Sequence, residues 1–255
     1  MKKLSLFLFL LLSIVKVSAC SCIGSSLSQN YQDADVIGVI KILKVYGQSR
    51  EHRMYKADIQ FEKVFKGKAF KTIMVSGVIG KSSSAACEMN LKPKERYMIF
   101  LDKSGNDYFV TFCTPKSKLQ NIATENEHSR FEYLGKKISY LEENKSSFQN
   151  LQFATCYEKT PTDAKSDLSK ISDFSPKQQF AVYKVKVNDL SEIQEITPIA
   201  GFGSKEEAIE NILKTKFKVD IPPSSSEAEQ KEFLLFFCYD KESIEDPDSE
   251  VIYSD

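Results

Sequence analysis

Tyr55-Lys56-Ala57-Asp58-Ile59-Gln60-Phe61-Glu62 decides the fold class. Its apolar members (Tyr55, Ala57, Ile59, Phe61) alternate with polar ones, the period of a strand with one buried face. The run extends from Met54 to Phe65, and Lys66-Gly67 closes it with a turn signal. Upstream, Val36 to Val45 is β-branched and apolar and stops at Tyr46-Gly47. Downstream, Phe70 to Val75 and Arg96 to Leu101 read as further strands. Ser104-Gly105-Asn106-Asp107 marks a hairpin turn, and Tyr108 to Phe112 completes a fifth strand. A serine-rich loop, Lys81 to Ser84, separates the third from the fourth. Five short strands in one stretch predict a small closed barrel, mostly β, and the OB type is the common five-stranded solution.

After Cys113 and Pro115 the pattern changes. Thr124 to Lys145 is charged and carries Phe131, Leu134, Ile138 and Leu141 at helical spacing, which predicts one amphipathic helix. Asn144-Lys145-Ser146 is a glycosylation triplet. Beyond Asn150 the strands are expected at Leu151 to Tyr157, Gln179 to Val187 and Glu232 to Tyr239. Ser204-Lys205-Glu206-Glu207 reads as a capping box before a helix bearing Ala208, Ile209, Ile212 and Leu213. Pro222 to Ser226 is a loop, and an acidic tail begins at Glu242. The expected organisation is therefore a leader over 1–19, an OB-type domain over 20–120, a helical connector over 121–149 and a small α+β domain over 150–255.

The leader is read from Lys2-Lys3, the apolar run Leu4 to Val15, and the small residues Val17-Ser18-Ala19, the pattern of a secretory signal peptide. The run is too short to favour a membrane span. The chain has 255 residues and 35 charges of each sign. Cleavage after Ala19 removes Lys2, Lys3 and Lys16 and no acid, which leaves a mildly acidic protein. No basic stripe stands out, and nucleic acid is not expected as a ligand. The two histidines, His52 and His128, lie far apart, which argues against a histidine metal site. Neither half carries a catalytic signature, so neither an enzyme nor a bound cofactor is expected. All six cysteines follow the cleavage point, in a compartment where disulfides form. Counting does not choose among the pairings they allow.

Cleavage makes Cys20 the first residue of Cys20-Ser21-Cys22-Ile23-Gly24. Its α-amine titrates close enough to neutrality to leave an unprotonated fraction near pH 7. That amine and the Cys20 carbonyl oxygen form a five-membered chelate around a divalent metal. A catalytic zinc keeps one position open for water or substrate, and a rigid chain end fills it.

These residues resemble the tissue inhibitors of metalloproteinases within the wider netrin-like module, over about Cys20 to Cys113. Besides the Cys20-Ser21-Cys22 start, Tyr31-Gln32-Asp33-Ala34-Asp35-Val36-Ile37 is similar to the family's approach to its first strand. Phe61-Glu62-Lys63-Val64-Phe65-Lys66-Gly67 is similar to the end of its second. Ser83-Ser84-Ala85-Ala86-Cys87 resembles its cysteine loop, and Glu95-Arg96-Tyr97-Met98-Ile99 its fourth strand. The resemblance implies disulfides Cys20–Cys87 and Cys22–Cys113, and leaves Cys156 to pair with Cys238. It implies a secreted inhibitor of zinc metalloproteases, with the Cys20 main-chain nitrogen and oxygen on the protease zinc. Ser21 would enter the specificity pocket, Cys22 and Ile23 would follow the substrate groove, and Ser84, Ala85 and Ala86 would form the neighbouring edge. The vertebrate pattern has a third disulfide in this domain, and its first position falls on Gln32. The second domain does not resemble the vertebrate one.

Two alternatives stay open. The module also occurs in extracellular proteins that bind matrix or cell-surface partners with purely structural cysteines. Val17-Ser18-Ala19-Cys20 also fits a bacterial lipobox, and acylation there would block the amine and tether the chain to a membrane.

Overall fold

The computed structural model describes residues 22, 24–49, 51–80, 87–160, 166–221, 231–240 and 251–254. The leader 1–19, the serine-rich loop from Lys81 to Ser84, the loop from Pro222 to Ser226 and most of the tail from Glu242 lie outside them. The fold is mainly β, built as two mixed sheets with helices between and beside them.

The first sheet contains β1 (Val36–Ser49), β2 (Met54–Lys66), β3 (Thr72–Ser76), β4 (Arg96–Leu101), β5 (Lys103–Ser104), β6 (Asp107–Val110) and β7 (Lys116–Leu119). The five predicted strands are β1, β2, β3, β4 and β6, while β5 and β7 were not expected. Their order is β5-β6-β3-β2-β1-β4-β7, antiparallel throughout except for the parallel pair β3–β6. Among the described residues this ladder is open, so the expected closed barrel is not formed as a ring of hydrogen bonds. Its unpaired ends are β5 and β7, and β4 passes into β5 through the single residue Asp102. There Asp35 takes over the pairing: its N–H donates to Leu101 O at 2.9 Å and its carboxylate accepts the Lys103 N–H at 2.7 Å. Gly67, at φ +77°, makes the β2–β3 turn; a Cβ there would collide with the Asp35 carbonyl.

The second sheet contains β8 (Gln152–Glu158), β9 (Phe180–Val187), β10 (Ile193–Ala200), β11 (Phe217–Asp220), β12 (Glu232–Asp240) and β13 (Val251–Ser254). Its order is β10-β9-β12-β8-β11, with β13 on β12. A bridge between Glu192 and Lys218 and a Val219 N–H to Ser191 O bond of 2.9 Å bring the two ends of this ladder together.

Among the described residues the α-helices are α1 (Leu27–Asp33), α2 (Glu125–Asn144) and α3 (Glu206–Lys216). The Thr124 hydroxyl caps α2 by accepting the Glu127 N–H at 3.2 Å. The capping box expected at Ser204 is not formed. Lys205 is the N-cap, in a left-handed conformation without a side-chain bond. The Glu206 carboxylate instead accepts from Gly203 N–H and Tyr183 O–H, both at 2.6 Å, so the carboxylate that fastens this helix start is one residue early.

The core has three parts. Ile40, Ile42, Tyr55, Ala57, Ile59, Ile73 and Ile99 fill the concave side of the first sheet. Tyr183, Val185, Phe233, Leu235 and Phe237, with Ile209 and Leu213 of α3, fill that of the second. The third part joins the two sheets. Tyr31 of α1, Ala34 just after it, and Ile138 and Leu141 of α2 lie between Ile37, Val39 and Met98 on one side and Phe153, Phe180, Leu234 and Phe236 on the other. The first part of β1, Val36 to Ile40, and β12 therefore bury both faces, which is why each reads there as an apolar run.

The expected Cys156–Cys238 disulfide is absent, and each residue keeps its thiol. Strand parity explains it. Phe233, Leu235 and Phe237 face the interior of the second sheet, whereas Leu234, Phe236 and Cys238 face α2. Cys156 packs against the interior cluster, so the two sulfurs sit on opposite faces.

Candidate functional site at the chain start

Of the seven residues expected to touch a protease, Cys22 is described; Cys20, Ser21, Ile23, Ser84, Ala85 and Ala86 lie outside the described residues. Cys22 is bonded to Cys113 with a Cα–Cα distance of 5.3 Å across 91 residues of chain. Cys87 is also disulfide-bonded; its expected partner, Cys20, is outside the described residues.

Cys113 stands in the loop between β6 and β7. Its neighbours fold round one cation: Lys116 Nζ donates to the carbonyls of Thr111 (3.0 Å), Phe112 (2.7 Å) and Thr114 (3.0 Å). Burial lowers the pKa of this ammonium. The Thr114 hydroxyl accepts the Thr111 N–H at 2.9 Å, so the turn carrying the disulfide is closed by side chain as well as backbone. Phe112 is left exposed beside it.

A cleft of about 550 Å³ opens next to Cys113, lined by Ser25, Asn30, Asp33, Asp102, Thr111 and Thr114 among others. Burial raises the pKa of the Asp33 carboxyl, the nearby Asp102 charge raises it further, and Lys66 partly offsets both. Among the described residues no group of three or more His, Cys, Asp or Glu could hold a metal ion, and His52 and His128 are exposed.

The second expected edge follows Cys87. Its base is firm: Met89 N–H donates to Ser76 O at 2.9 Å, and Asn90 Nδ2 donates to Gly80 O at 2.6 Å. Leu91 N–H donates to the buried Tyr55 hydroxyl at 2.8 Å. The tip of the β1–β2 hairpin reaches the same base. Gln48 Oε1 accepts the Ile79 N–H at 2.7 Å, and Arg53 forms an ion pair with Glu88. Sequence reasoning missed Gln48, Arg53 and Glu88. The one available signal was an amide and a charge at the end of an otherwise alternating hairpin.

Asn144, in the glycosylation triplet, is half-buried and donates from Nδ2 to Tyr140 O at 2.8 Å. No described helix is long and apolar enough to cross a membrane. In comparisons with known proteins, no family model and no curated sequence matches the chain.

Proposed function

We propose that the protein is a secreted inhibitor of zinc metalloproteases whose Cys20 amine and carbonyl chelate the target's zinc. The observation that carries the reading is the Cys22–Cys113 disulfide, with Cys87 in a second bond. The Cys22–Cys113 bond ties the segment behind the chain start to the loop between β6 and β7. A start held in this way loses little entropy on entering a cleft. Ser21, Cys22 and Ile23 would run along the substrate groove, with Ser84, Ala85 and Ala86 as the flanking edge. The strand order supports an OB-type reading of the first sheet. β1 lies between β2 and β4, β3 joins β6, and β5, which pairs with β6, follows β4 in the chain with Asp102 alone between them.

The test compares mature protein beginning at Cys20 with the same protein carrying one extra alanine before it. Both are assayed against a panel of secreted zinc metalloproteases, after intact-mass measurement of the chain start. The expected result is inhibition by the first and a loss of about 100-fold or more in the second, since the added residue turns the Cys20 amine into a peptide amide. Equal potency of the two, an acylated Cys20, or no inhibition of any member overturns the reading.

A further inference from the structure

We infer that Gln29 and Gln32 of α1 are positioning residues through which the second sheet holds the chain start in place. The geometry stands by itself; its consequence for inhibition rests on the function proposed above.

β8 begins with one edge uncovered. β12 pairs with it at residues 152–154, but β11 covers the opposite edge only from Thr155 to Glu158. On that opposite edge the backbone groups of Leu151 and Phe153 need partners, because buried N–H and C=O groups are costly to leave unpaired. α1 supplies them. Gln32 Oε1 accepts the Phe153 N–H at 2.9 Å, while its Nε2 donates to Leu151 O at 2.8 Å. One turn earlier, Gln29 Nε2 donates to Phe153 O at 3.3 Å. Residues three apart share a helix face, so the two amides stand in for the missing strand.

The same helix grips the chain before it. Gln29 Oε1 accepts the Ser26 N–H at 2.8 Å, and Ser26 Oγ accepts the Gln29 N–H at 3.2 Å, a full capping box. The single Gln29 amide therefore joins the second sheet to the N-cap. Asn30 Nδ2 donates to Ser25 O at 3.2 Å, and Asn30 Oδ1 accepts from Ser25 Oγ at 2.6 Å. Three residues further back is Cys22, bonded to Cys113. Tyr31 fixes the helix from beneath, buried in the shared core with its hydroxyl on Glu142 at 2.8 Å. A series of contacts thus runs from β8 to Ser25, three residues after the disulfide-bonded Cys22. The second half of the chain, which carries no catalytic motif, acts as a buttress for the first.

The experiment uses the full mature chain with Gln32→Ala and Gln32→Glu. Amide hydrogen-exchange protection is read at residues 24–33, at Phe153, and at distant amides such as Val185 and Ile59. Inhibition of a responsive metalloprotease is read in parallel. Gln32→Ala should lose protection at 24–33 and at Phe153, leave Val185 and Ile59 unchanged, and weaken inhibition about tenfold. Gln32→Glu is the discriminating variant. Its carboxylate accepts from Phe153 but repels the Leu151 carbonyl; once protonated, it regains a donor and matches the amide. Protection at 24–33 should therefore be low at neutral pH and recover in acid, relative to wild type. Wild-type protection at 24–33 in both variants overturns the inference, as does uniform loss throughout both sheets without recovery in acid. If the wild-type protein inhibits nothing, the proposed function falls, and exchange at 24–33 still decides this point.

Discussion

The two sheets meet the same requirement, a curled ladder around an apolar interior, with different chemistry. The first is cross-linked by Cys22–Cys113 and carries an ion cluster around the buried Arg96. In that cluster Arg96 donates to Glu62, to Glu127 and to the Gln120 carbonyl, each at 2.7 Å. These bonds keep the guanidinium charged against the cost of burial. The second sheet contains two thiols and no disulfide among its described residues. It relies on β12, where Phe233 to Cys238 is a continuous buried run serving two clusters. The first sheet is fastened by a disulfide and by ionic contacts. The second is held by its filling.

That contrast can be broken in two ways. The larger effect is expected from the double substitution Cys22→Ser and Cys113→Ser. Opening a 91-residue loop should cost about 4 to 5 kcal/mol in the chain-entropy model. Denaturant unfolding followed by tyrosine signals and by hydrogen exchange should report this loss at Ile59 before Val185. Equal loss at both positions would mean that the shared cluster makes the two sheets one cooperative unit. The next effect is expected in the other sheet. Phe237 is buried, packs edge-on against Tyr183 at 5.9 Å between ring centres, and leaves a large cavity when truncated. Phe237→Ala should cost about 3 to 4 kcal/mol, with the Cys22–Cys113 bond still formed. A cost under about 1 kcal/mol would show that the filling is not what holds this sheet.

Legibility in the sequence follows the same division. The first sheet was readable because its strands alternate or are β-branched and end at clear turns, as at Lys66-Gly67. Its open rim was not, because Asp35 replaces the pairing at Asp102 from 67 residues away in sequence, beyond any local pattern. In the second sheet β10 was hidden by Pro198, which fits only because β10 is an edge strand. β11 follows α3 directly at Phe217, with no turn residue between helix and strand. β7 (Lys-Ser-Lys-Leu) carries one apolar residue in four positions. Pairing Cys156 with Cys238 by exclusion ignored strand parity, which sends the two side chains to opposite faces. At the candidate site, the bonding of Cys22, Cys87 and Cys113 was legible through the resemblance alone. The glutamines of α1 were not, since nothing local distinguishes an amide that closes a remote strand edge from one that faces water.

The smallest effect lies where the two sheets meet. The Thr124 hydroxyl caps α2, and the residue whose N–H it accepts, Glu127, also holds Arg96 of the first sheet. The cap therefore fixes the start of a helix whose later residues, Ile138 and Leu141, belong to the core shared with the second sheet. Thr124→Ala should cost about 1 kcal/mol, and Thr124→Ser should restore nearly all of it, as measured by denaturant midpoints at constant slope. The distribution of the loss is the sharper readout. If α2 is a strut between two separately stabilised sheets, exchange should quicken over the first turns of α2 while Ile59 and Val185 stay protected. If both of those amides lose protection with the cap, the helix is an integral part of each sheet, and the contrast between a fastened sheet and a filled one gives way to a single core with two rims.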